Sequence, residues 1–292
     1  MSNFCPDQGR TRVSGEAYFL YAAAENPRRT QIRAKRAIYG WKLFKTILNV
    51  NRICLSIWSL KCYTLNERKQ NEANMVYWII GAGKFGSRAV NCLRKKDPDA
   101  RIILVDSDPE ALQEWKGRVD TVSADGVTFL VRHLNKRDDM AVPDWIVPAI
   151  PVHIAFEWIR HTLNKRLYIL SVPVPEMLDV LLPNPVRGRE GELYVSHATS
   201  MCPENCSEPP DVCMATGKPR GTDLYKVLER VTLADYRSVV VRSHQLAPGV
   251  GGYQVQALLH ARTEVSLSEG RVLISTACSC HGVVHAFRIA KR

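Results

Sequence analysis

A glycine-rich turn between an apolar strand and a helix is the feature that most restricts the fold of this chain. The apolar run Val76–Ile80 leads into Gly81, Gly83 and Gly86, which are spaced G-x-G-x-x-G. In a dinucleotide-binding βαβ unit the first glycine permits the tight turn, the second lets the backbone approach a pyrophosphate, and the third lets the helix pack closely on the strand. A helix that begins near Lys84 would direct its free N–H groups at the phosphates. We therefore predict an α/β fold that opens with a Rossmann-like parallel sheet.

A second apolar strand follows at the distance expected for this unit. The apolar run over residues 101–105 ends at Asp106, twenty residues after Gly86. An acid at this place hydrogen-bonds the adenosine ribose in dinucleotide-binding domains, and its negative charge repels a 2′-phosphate. These spacings favour NAD(H) over NADP(H). The contacts that they predict are Gly81, Gly83, Lys84, Phe85, Gly86 and Asp106.

Three segments of this region, IIGAGKFGSRAV, ILVDSDPEAL and DTVSADGVTFL, resemble the N-terminal nucleotide-binding domain of potassium-transport regulators, the TrkA/RCK (TrkA-N) family. The similarity covers about residues 75–130, a fifth of the chain. It implies that Asp106, Asp108 and Asp125 contact the nucleotide, which in this family is NAD(H), ATP or ADP. Ala124 stands where the family usually has glycine. The resemblance also implies a regulatory role, with a membrane transporter or another protein as the partner.

The net charge of +11 is concentrated in residues 1–74, which hold 13 Lys and Arg against 5 Asp and Glu. This segment carries +8, so the remaining 218 residues carry only +3, which argues against a nucleic-acid partner. Because Met75 stands directly before the first strand, we interpret residues 1–74 as a basic extension, either disordered or the product of an upstream start. A basic amphipathic helix is the alternative. The chain has no long apolar span and no secretory signal, so we expect a cytoplasmic protein.

The downstream pattern predicts two domains, the Rossmann-like domain over residues 75–172 and a smaller cysteine-containing α+β region over residues 173–292. An extension that completes the first sheet is the alternative for the second region. Asp144–Ile150 and Arg166–Val172 are predicted as the fourth and fifth strands of the first sheet. His153 follows the fourth strand, where α/β sheets place ligands, and it is interpreted as a site residue or a structural histidine. The second region is predicted to contain strands at 192–196, 238–241 and 271–276 and a helix at 224–231.

Five of the nine cysteines fall in two short loop-like segments. In a cytoplasmic protein such cysteines are thiols or metal ligands more often than disulfides. Loops can turn several sulfurs toward one point, and both zinc and iron–sulfur clusters need about four such ligands. We favour an iron–sulfur cluster over zinc, because a neighbouring nucleotide cofactor could exchange electrons with it. A redox-active or structural thiol cluster is the alternative. The predicted ligands are Cys202, Cys206, Cys213, Cys278, Cys280 and His281.

Two functions follow from these features. The first is a nucleotide-sensing regulator, which we prefer because a spaced motif supports binding and no acid–base pair supports catalysis. The second is an NAD-dependent oxidoreductase that passes electrons or hydride between NAD(H) and the cysteine-bound centre. A homodimer is a further expected assembly. The glycine-rich stretch at residues 242–254, RSHQLAPGVGGYQ, is interpreted either as part of a ligand site or as a surface turn.

Overall fold

The computed structural model describes residues 74–134, 140–164 and 166–291. The interpretation of residues 1–74 therefore falls, except for Asn74, outside the described residues. The described chain confirms the α/β class. It forms two six-stranded sheets, each of which combines parallel and antiparallel pairs.

The helices and strands occur in the following order along the chain. The described strands are β1 (Val76–Ile80), β2 (Arg101–Asp106), β3 (Asp120–Ser123), β4 (Trp145–Pro148), β5 (Leu167–Val172), β6 (Val186–Arg187), β7 (Leu193–Ser196), β8 (Tyr236–Arg242), β9 (His244–Ala247), β10 (Val250–Gln254), β11 (Gly270–Ala277) and β12 (His281–Lys291). The described helices are α1 (Lys84–Lys96), α2 (Pro109–Gln113), α3 (Gly126–His133), α4 (Ile154–Leu163), α5 (Met177–Leu181), α6 (Leu224–Glu229) and α7 (Val255–Ser266). None of these helices has both the length and the apolar character that a membrane crossing requires.

The first sheet has the strand order β3-β2-β1-β4-β10-β9. Its first four strands are parallel to one another, and β10 runs antiparallel beside β4. Ile79, Ile80 and Leu104 are fully buried, as expected for central strands that are covered on both faces. Because the four strands are parallel, the loops that follow β1, β2 and β4 meet at one edge of the sheet.

One segment lies in a different sheet from the one predicted, and another forms strands where none was predicted. The strand β5, predicted as the fifth strand of the first sheet, instead pairs antiparallel with β12 in the second sheet. Its side chains alternate between half-buried and exposed, and Tyr168 and Leu170 are exposed. That alternation suits an antiparallel edge strand with one covered face, whereas a central parallel strand needs cover on both faces. Conversely, β9 and β10 from the glycine-rich stretch complete the first sheet.

The second sheet has the order β6-β7-β12-β11-β8, with β5 also paired to β12. The long strand β12 receives β7 beside its first residues and β5 beside its last residues. Cys278 and Cys280 lie in the turn between β11 and β12. The sheet therefore fixes the position of this turn by pairing on both sides of it.

One apolar core joins the two sheets. Trp78 on β1, Trp158 on α4 and Phe287 on β12 belong to the same buried cluster, and each is at most 1% exposed. The helices α4 and α7 supply side chains to this cluster as well. Because side chains of both sheets interdigitate in it, the loops of the first sheet and the β11–β12 turn are held in a fixed relation.

Candidate functional site

The three glycines of the turn Gly81–Gly86, called here the glycine loop, have three different surroundings. Gly81 has φ +110°, and a Cβ atom there would lie 2.6 Å from the carbonyl oxygen of Ala149. A Cβ on Gly86 would lie 1.8 Å from the carbonyl oxygen of Gly81. A Cβ on Gly83 would meet no protein atom within 4 Å. The first and third glycines are therefore required by the protein itself, and the second leaves open space above the N-terminus of α1.

The acids predicted to contact a nucleotide all lie at the ends of strands or the starts of helices. The carboxylate of Asp106 accepts hydrogen bonds from the Ala82 N–H at 2.6 Å and from the Asp108 N–H at 2.9 Å, which ties the end of β2 to the glycine loop. Asp108 caps α2, and Asp125 caps α3 by accepting the Thr128 N–H at 2.8 Å. These cap bonds, from Thr128 above all, hold the pKa of Asp125 below its usual value. All three acids thus also have a structural role.

A pocket of about 420 Å³ opens beside the glycine loop. We call it the loop pocket. One wall consists of Phe85 and Ala89 on α1, another of residues 147–151 at the end of β4, and the third of Gly249–Gly251 in the β9–β10 hairpin. Phe85 is 62% exposed although it is aromatic and follows the loop directly. The pocket therefore offers an apolar surface that a flat ring could cover.

The two cysteine segments, which are about seventy residues apart in sequence, come together in the fold. They line a second pocket, of about 260 Å³, which we call the cysteine pocket. The Sγ atom of Cys202 lies 3.2 Å from Nε2 of His281, and the Sγ atom of Cys278 lies 3.8 Å from Nδ1 of the same ring. Cys213 does not line the pocket, but it is close enough to influence the thiols of Cys202 and Cys280 electrostatically. The predicted ligands that do line the pocket are Cys202, Cys206, Cys278, Cys280 and His281.

Three of these sulfurs accept hydrogen bonds from backbone N–H groups just after them in the chain. The Glu208 N–H donates to Cys206 Sγ at 3.4 Å, and the N–H groups of Cys280 and His281 each donate to Cys278 Sγ at 3.3 Å. Cys213 likewise accepts hydrogen bonds from the side chain and the backbone of Thr216 and from the backbone of Ala215. At Cys278 and Cys213 these hydrogen bonds favour the thiolate over the thiol.

Burial and neighbouring groups have the opposite effect and raise the pKa of most of these thiols. Burial raises the pKa of Cys278 to about 12 and that of Cys280 to about 11. Burial and the neighbouring thiols of Cys206 and Cys213 raise the pKa of Cys202, whereas the Thr216 hydrogen bonds lower the pKa of Cys213. Among the described residues, no three His, Cys, Asp or Glu side chains are arranged around the position of a single metal ion. The sulfurs surround a pocket and do not converge on a point.

The loop pocket and the cysteine pocket are in direct contact. Both are lined by Gly249–Gly251. The carboxylate of Glu204, between Cys202 and Cys206, forms ion pairs with Lys84 and with Arg88 of α1, the latter at 3.2 Å. The first turns of α1 are thereby connected to the cysteine segment.

Sequence reasoning did not identify Glu204 and Glu208 as members of the site. Their position beside cysteines is visible in the sequence, but their partners are not. Glu204 pairs with residues 116 and 120 positions away, and Glu208 accepts the Ser279 N–H at 2.9 Å. Only the fold brings these groups together.

His153 is directed away from both pockets toward the second sheet. Its Nδ1 lies 3.0 Å from Nδ1 of His285, and its Nε2 lies 2.8 Å from Oγ1 of Thr276. Burial lowers the pKa of both histidines, which favours neutral rings that share one proton between them. The histidine thus joins α4 to β11 and β12, and it lines neither pocket.

Two comparisons with known proteins show what this chain is similar to. Residues 155–290 match a family model described as "Uncharacterized protein, C-terminal domain". A relative from Archaeoglobus fulgidus, also described as "Uncharacterized protein", is 28% identical over 225 residues, which cover 73% of this chain and 99% of the relative. The region that matches the family model includes both cysteine segments, the β9–β10 hairpin and every strand of the second sheet.

Proposed function

We propose that this chain is a nucleotide-sensing protein that binds NAD(H) at the glycine loop and holds an iron–sulfur centre in the cysteine pocket. Binding at one site would alter the other. The observation that carries this proposal is the pair of ion pairs from Glu204, within the cysteine segment, to Lys84 and Arg88 on the helix that follows the glycine loop.

Four features support a dinucleotide at the glycine loop. The parallel strands have the order 3-2-1-4, which is that of the first half of a Rossmann-like sheet. Gly83 leaves space for a pyrophosphate at the N-terminus of α1, where the helix dipole favours an anion. Asp106 stands at the end of β2, beside the place of the adenosine ribose. The loop pocket, with Phe85 as one wall, extends from the loop toward β4 and would receive the nicotinamide half.

The thiols of the cysteine pocket are ligands of the type that both zinc and iron–sulfur clusters use. We favour the cluster, because a nucleotide in the adjoining loop pocket could exchange electrons with it. The N–H groups that donate to Cys206 and Cys278 are of the kind that stabilises cluster sulfurs.

The electrostatics of the cysteine pocket also favour a cationic occupant. Burial disfavours the thiolate at Cys278 and Cys280, and mutual proximity does so at Cys202. Iron ions would reverse this balance, because thiols that bind a metal are deprotonated. Iron that binds these thiols would therefore displace the protons that burial keeps on them.

Competition for Lys84 and Arg88 provides the connection between the sites. Both cations pair with Glu204. A pyrophosphate at the N-terminus of α1 would attract the same two cations and so weaken their hold on the segment between Cys202 and Cys206. By thermodynamic reciprocity, the state of the centre would change nucleotide affinity by the same factor. The transporter or other partner protein that would receive this signal stays a prediction from the resemblance, as does the homodimer.

The test is to measure NADH affinity in the protein with and without its centre. Anaerobically purified protein is expected to be brown and to contain iron and acid-labile sulfide. NADH titration, followed by fluorescence, is expected to give dissociation constants that differ by fivefold or more between the two forms, the usual range of such coupling being about 1–3 kcal/mol.

The variant Glu204→Gln is expected to remove this difference, and Glu229→Gln, an exposed glutamate on α6, serves as the matched control. Stoichiometric zinc without iron would disprove the iron–sulfur centre. Equal affinities in the two forms would disprove the connection between the sites.

A second function, an NAD-dependent oxidoreductase, is favoured by the shared wall Gly249–Gly251, which brings the loop pocket against the cysteine pocket. In that case NADH would give up a hydride, and two one-electron acceptors would each take an electron while one proton is released. Steady NADH oxidation with ferricyanide, lost in Cys206→Ser, would establish this function. Tight binding without turnover would establish the sensor.

A further inference from the structure

A third cavity, which we call the arginine groove, adjoins the cysteine pocket. It has a volume of about 550 Å³ and is lined by the segment 208–223, the helix α6, the end of β8 and the β11–β12 turn. Glu208 lines both the groove and the cysteine pocket, and Ser279 lines the groove between Cys278 and Cys280. The volume falls within the range of small-molecule sites, roughly 300–1,000 Å³.

Two of the four cations in the groove are held by its two carboxylates. Arg220 is largely buried, donates to the carbonyl oxygens of Glu208 and Pro209, and lies 3.8 Å from the carboxylates of Glu208 and Asp223. Lys226 lies 2.8 Å from Asp223. These cations are therefore part of the groove's own structure and are not free to bind a ligand.

The other two cations have no such partner. Within the described part of the chain, neither Arg230 nor Arg242 forms an ion pair, and both side chains are exposed. The guanidinium of Arg242 stacks on the ring of Tyr225 at 4.2 Å, which orients it without satisfying its hydrogen-bond donors. Because the two carboxylates of the groove pair with Arg220 and Lys226, the guanidinium groups of Arg230 and Arg242 remain available to bind an anion.

We propose that the arginine groove binds a small organic anion, recognised through phosphate or carboxylate groups by Arg230 and Arg242. A planar guanidinium donates two parallel hydrogen bonds to either group. The groove is larger than a phosphate ion alone requires, and its lining is mainly polar, so the anion carries a polar organic skeleton. A ligand bound there would contact Ser279, between two cysteines of the neighbouring pocket. The proposal requires neither NAD(H) nor the iron–sulfur centre.

Calorimetric titration of the full chain with two probes, citrate and ribose 5-phosphate, tests this proposal. Saturable binding of at least one probe at one site is expected. Binding of citrate alone would identify a carboxylate ligand, and binding of ribose 5-phosphate alone would identify a phosphate ester. Arg242→Gln and Arg230→Gln are each expected to weaken binding by about tenfold, since each substitution removes charge-assisted hydrogen bonds to the anion.

Arg271→Gln is the matched control, because Arg271 lies over Tyr236 at 5.6 Å on the same sheet but outside the groove. It is expected to leave probe binding unchanged. Melting temperatures identify any variant that does not fold, and the exposed Arg230 provides a second test if Arg242→Gln is unstable.

Four results would overturn the proposal. One is that neither probe binds, and another is that binding is unaffected in both arginine variants. The third is displacement of the probe by NADH, which would place it at the glycine loop. Binding of a single-stranded oligonucleotide that both arginine substitutions abolish would likewise overturn it, by assigning the groove to nucleic acid.

Discussion

The glycine loop takes its form from six consecutive residues, whereas the cysteine pocket gathers side chains from segments about seventy residues apart. The conformation of the loop depends on backbone atoms, because carbonyl oxygens lie so close to Gly81 and Gly86 that neither position has space for a Cβ atom. In the pocket, side chains meet only because β11, β12 and the β9–β10 hairpin fix the segments that carry them. A site of the first kind is formed by neighbouring residues, while a site of the second kind depends on the tertiary fold.

This difference has a consequence for stability. In the glycine loop the Ala82 N–H donates to the carboxylate of Asp106, which also accepts the Asp108 N–H. The protein itself therefore provides the hydrogen bonds that hold the loop. The cysteine pocket instead collects thiols whose burial raises the pKa of Cys278 and Cys280. We therefore expect removal of the occupant to disturb the cysteine pocket far more than removal of the nucleotide disturbs the loop.

The largest expected effect is at the cysteine pocket, in the variant Cys206→Ser. The substitution removes a sulfur atom that accepts a hydrogen bond from the Glu208 N–H, and it is expected to abolish the retention of iron and sulfide. Metal analysis and the visible spectrum of anaerobically purified protein provide the measurement. Cys92→Ser, in α1 and outside both pockets, is the matched control and is expected to retain the centre. Full iron content in Cys206→Ser would show that Cys206 is not a ligand.

An intermediate effect is expected at the glycine loop, where two single-methyl substitutions should separate folding from binding. Gly86→Ala places its methyl group against the Gly81 carbonyl oxygen and is expected to cost roughly 1–3 kcal/mol of unfolding free energy. Gly83→Ala meets no protein atom, so its stability should be nearly unchanged, while its NADH affinity falls by about tenfold or more. Urea unfolding and NADH titration measure the two quantities. Unchanged NADH affinity in Gly83→Ala would remove the pyrophosphate from this position.

The smallest expected effect is at Asp125, which caps α3 beside the glycine loop. Asp125→Ala is expected to lower the unfolding free energy by about 1 kcal/mol, while Asp125→Asn should retain most of the cap. Because the folded-state pKa of Asp125 is lowered, its charge stabilises the protein above the unfolded pKa of about 3.9. This contribution is lost as pH falls through the folded-state pKa. Urea unfolding at a series of pH values should therefore show the stability of the wild type approaching that of Asp125→Asn in acid.

Local patterns predicted much of the first half. The apolar runs of β1 and β2, the helix after the glycine loop and the acid at the end of β2 all lie where the spacing placed them. The strands and helix predicted in the second half also form, with bounds shifted by one or two residues. The predicted sheet membership of β5 was wrong, and the β9–β10 hairpin was not predicted, because the pairing of a strand depends on partners that its own residues do not specify.

The cysteines mark the limit of what spacing can show. Their clustering in two segments indicated a shared site, but only the pairing of β7 and β11 with β12 brings both segments to one pocket. The arginine groove was not predicted at all, since Arg220, Arg230 and Arg242 lie on different elements and share no sequence pattern.

The sequence by itself determined the glycine loop, the acid at the end of β2 and the grouping of the thiols in two segments. Each of these features depends on the conformation or the chemistry of neighbouring residues. Only the tertiary structure decided that the loop pocket and the cysteine pocket share a wall and that Glu204 connects them. The physical reason is that such contacts join groups more than one hundred residues apart. They form when two sheets bury a common core around Trp78, Trp158 and Phe287, which no local pattern can specify.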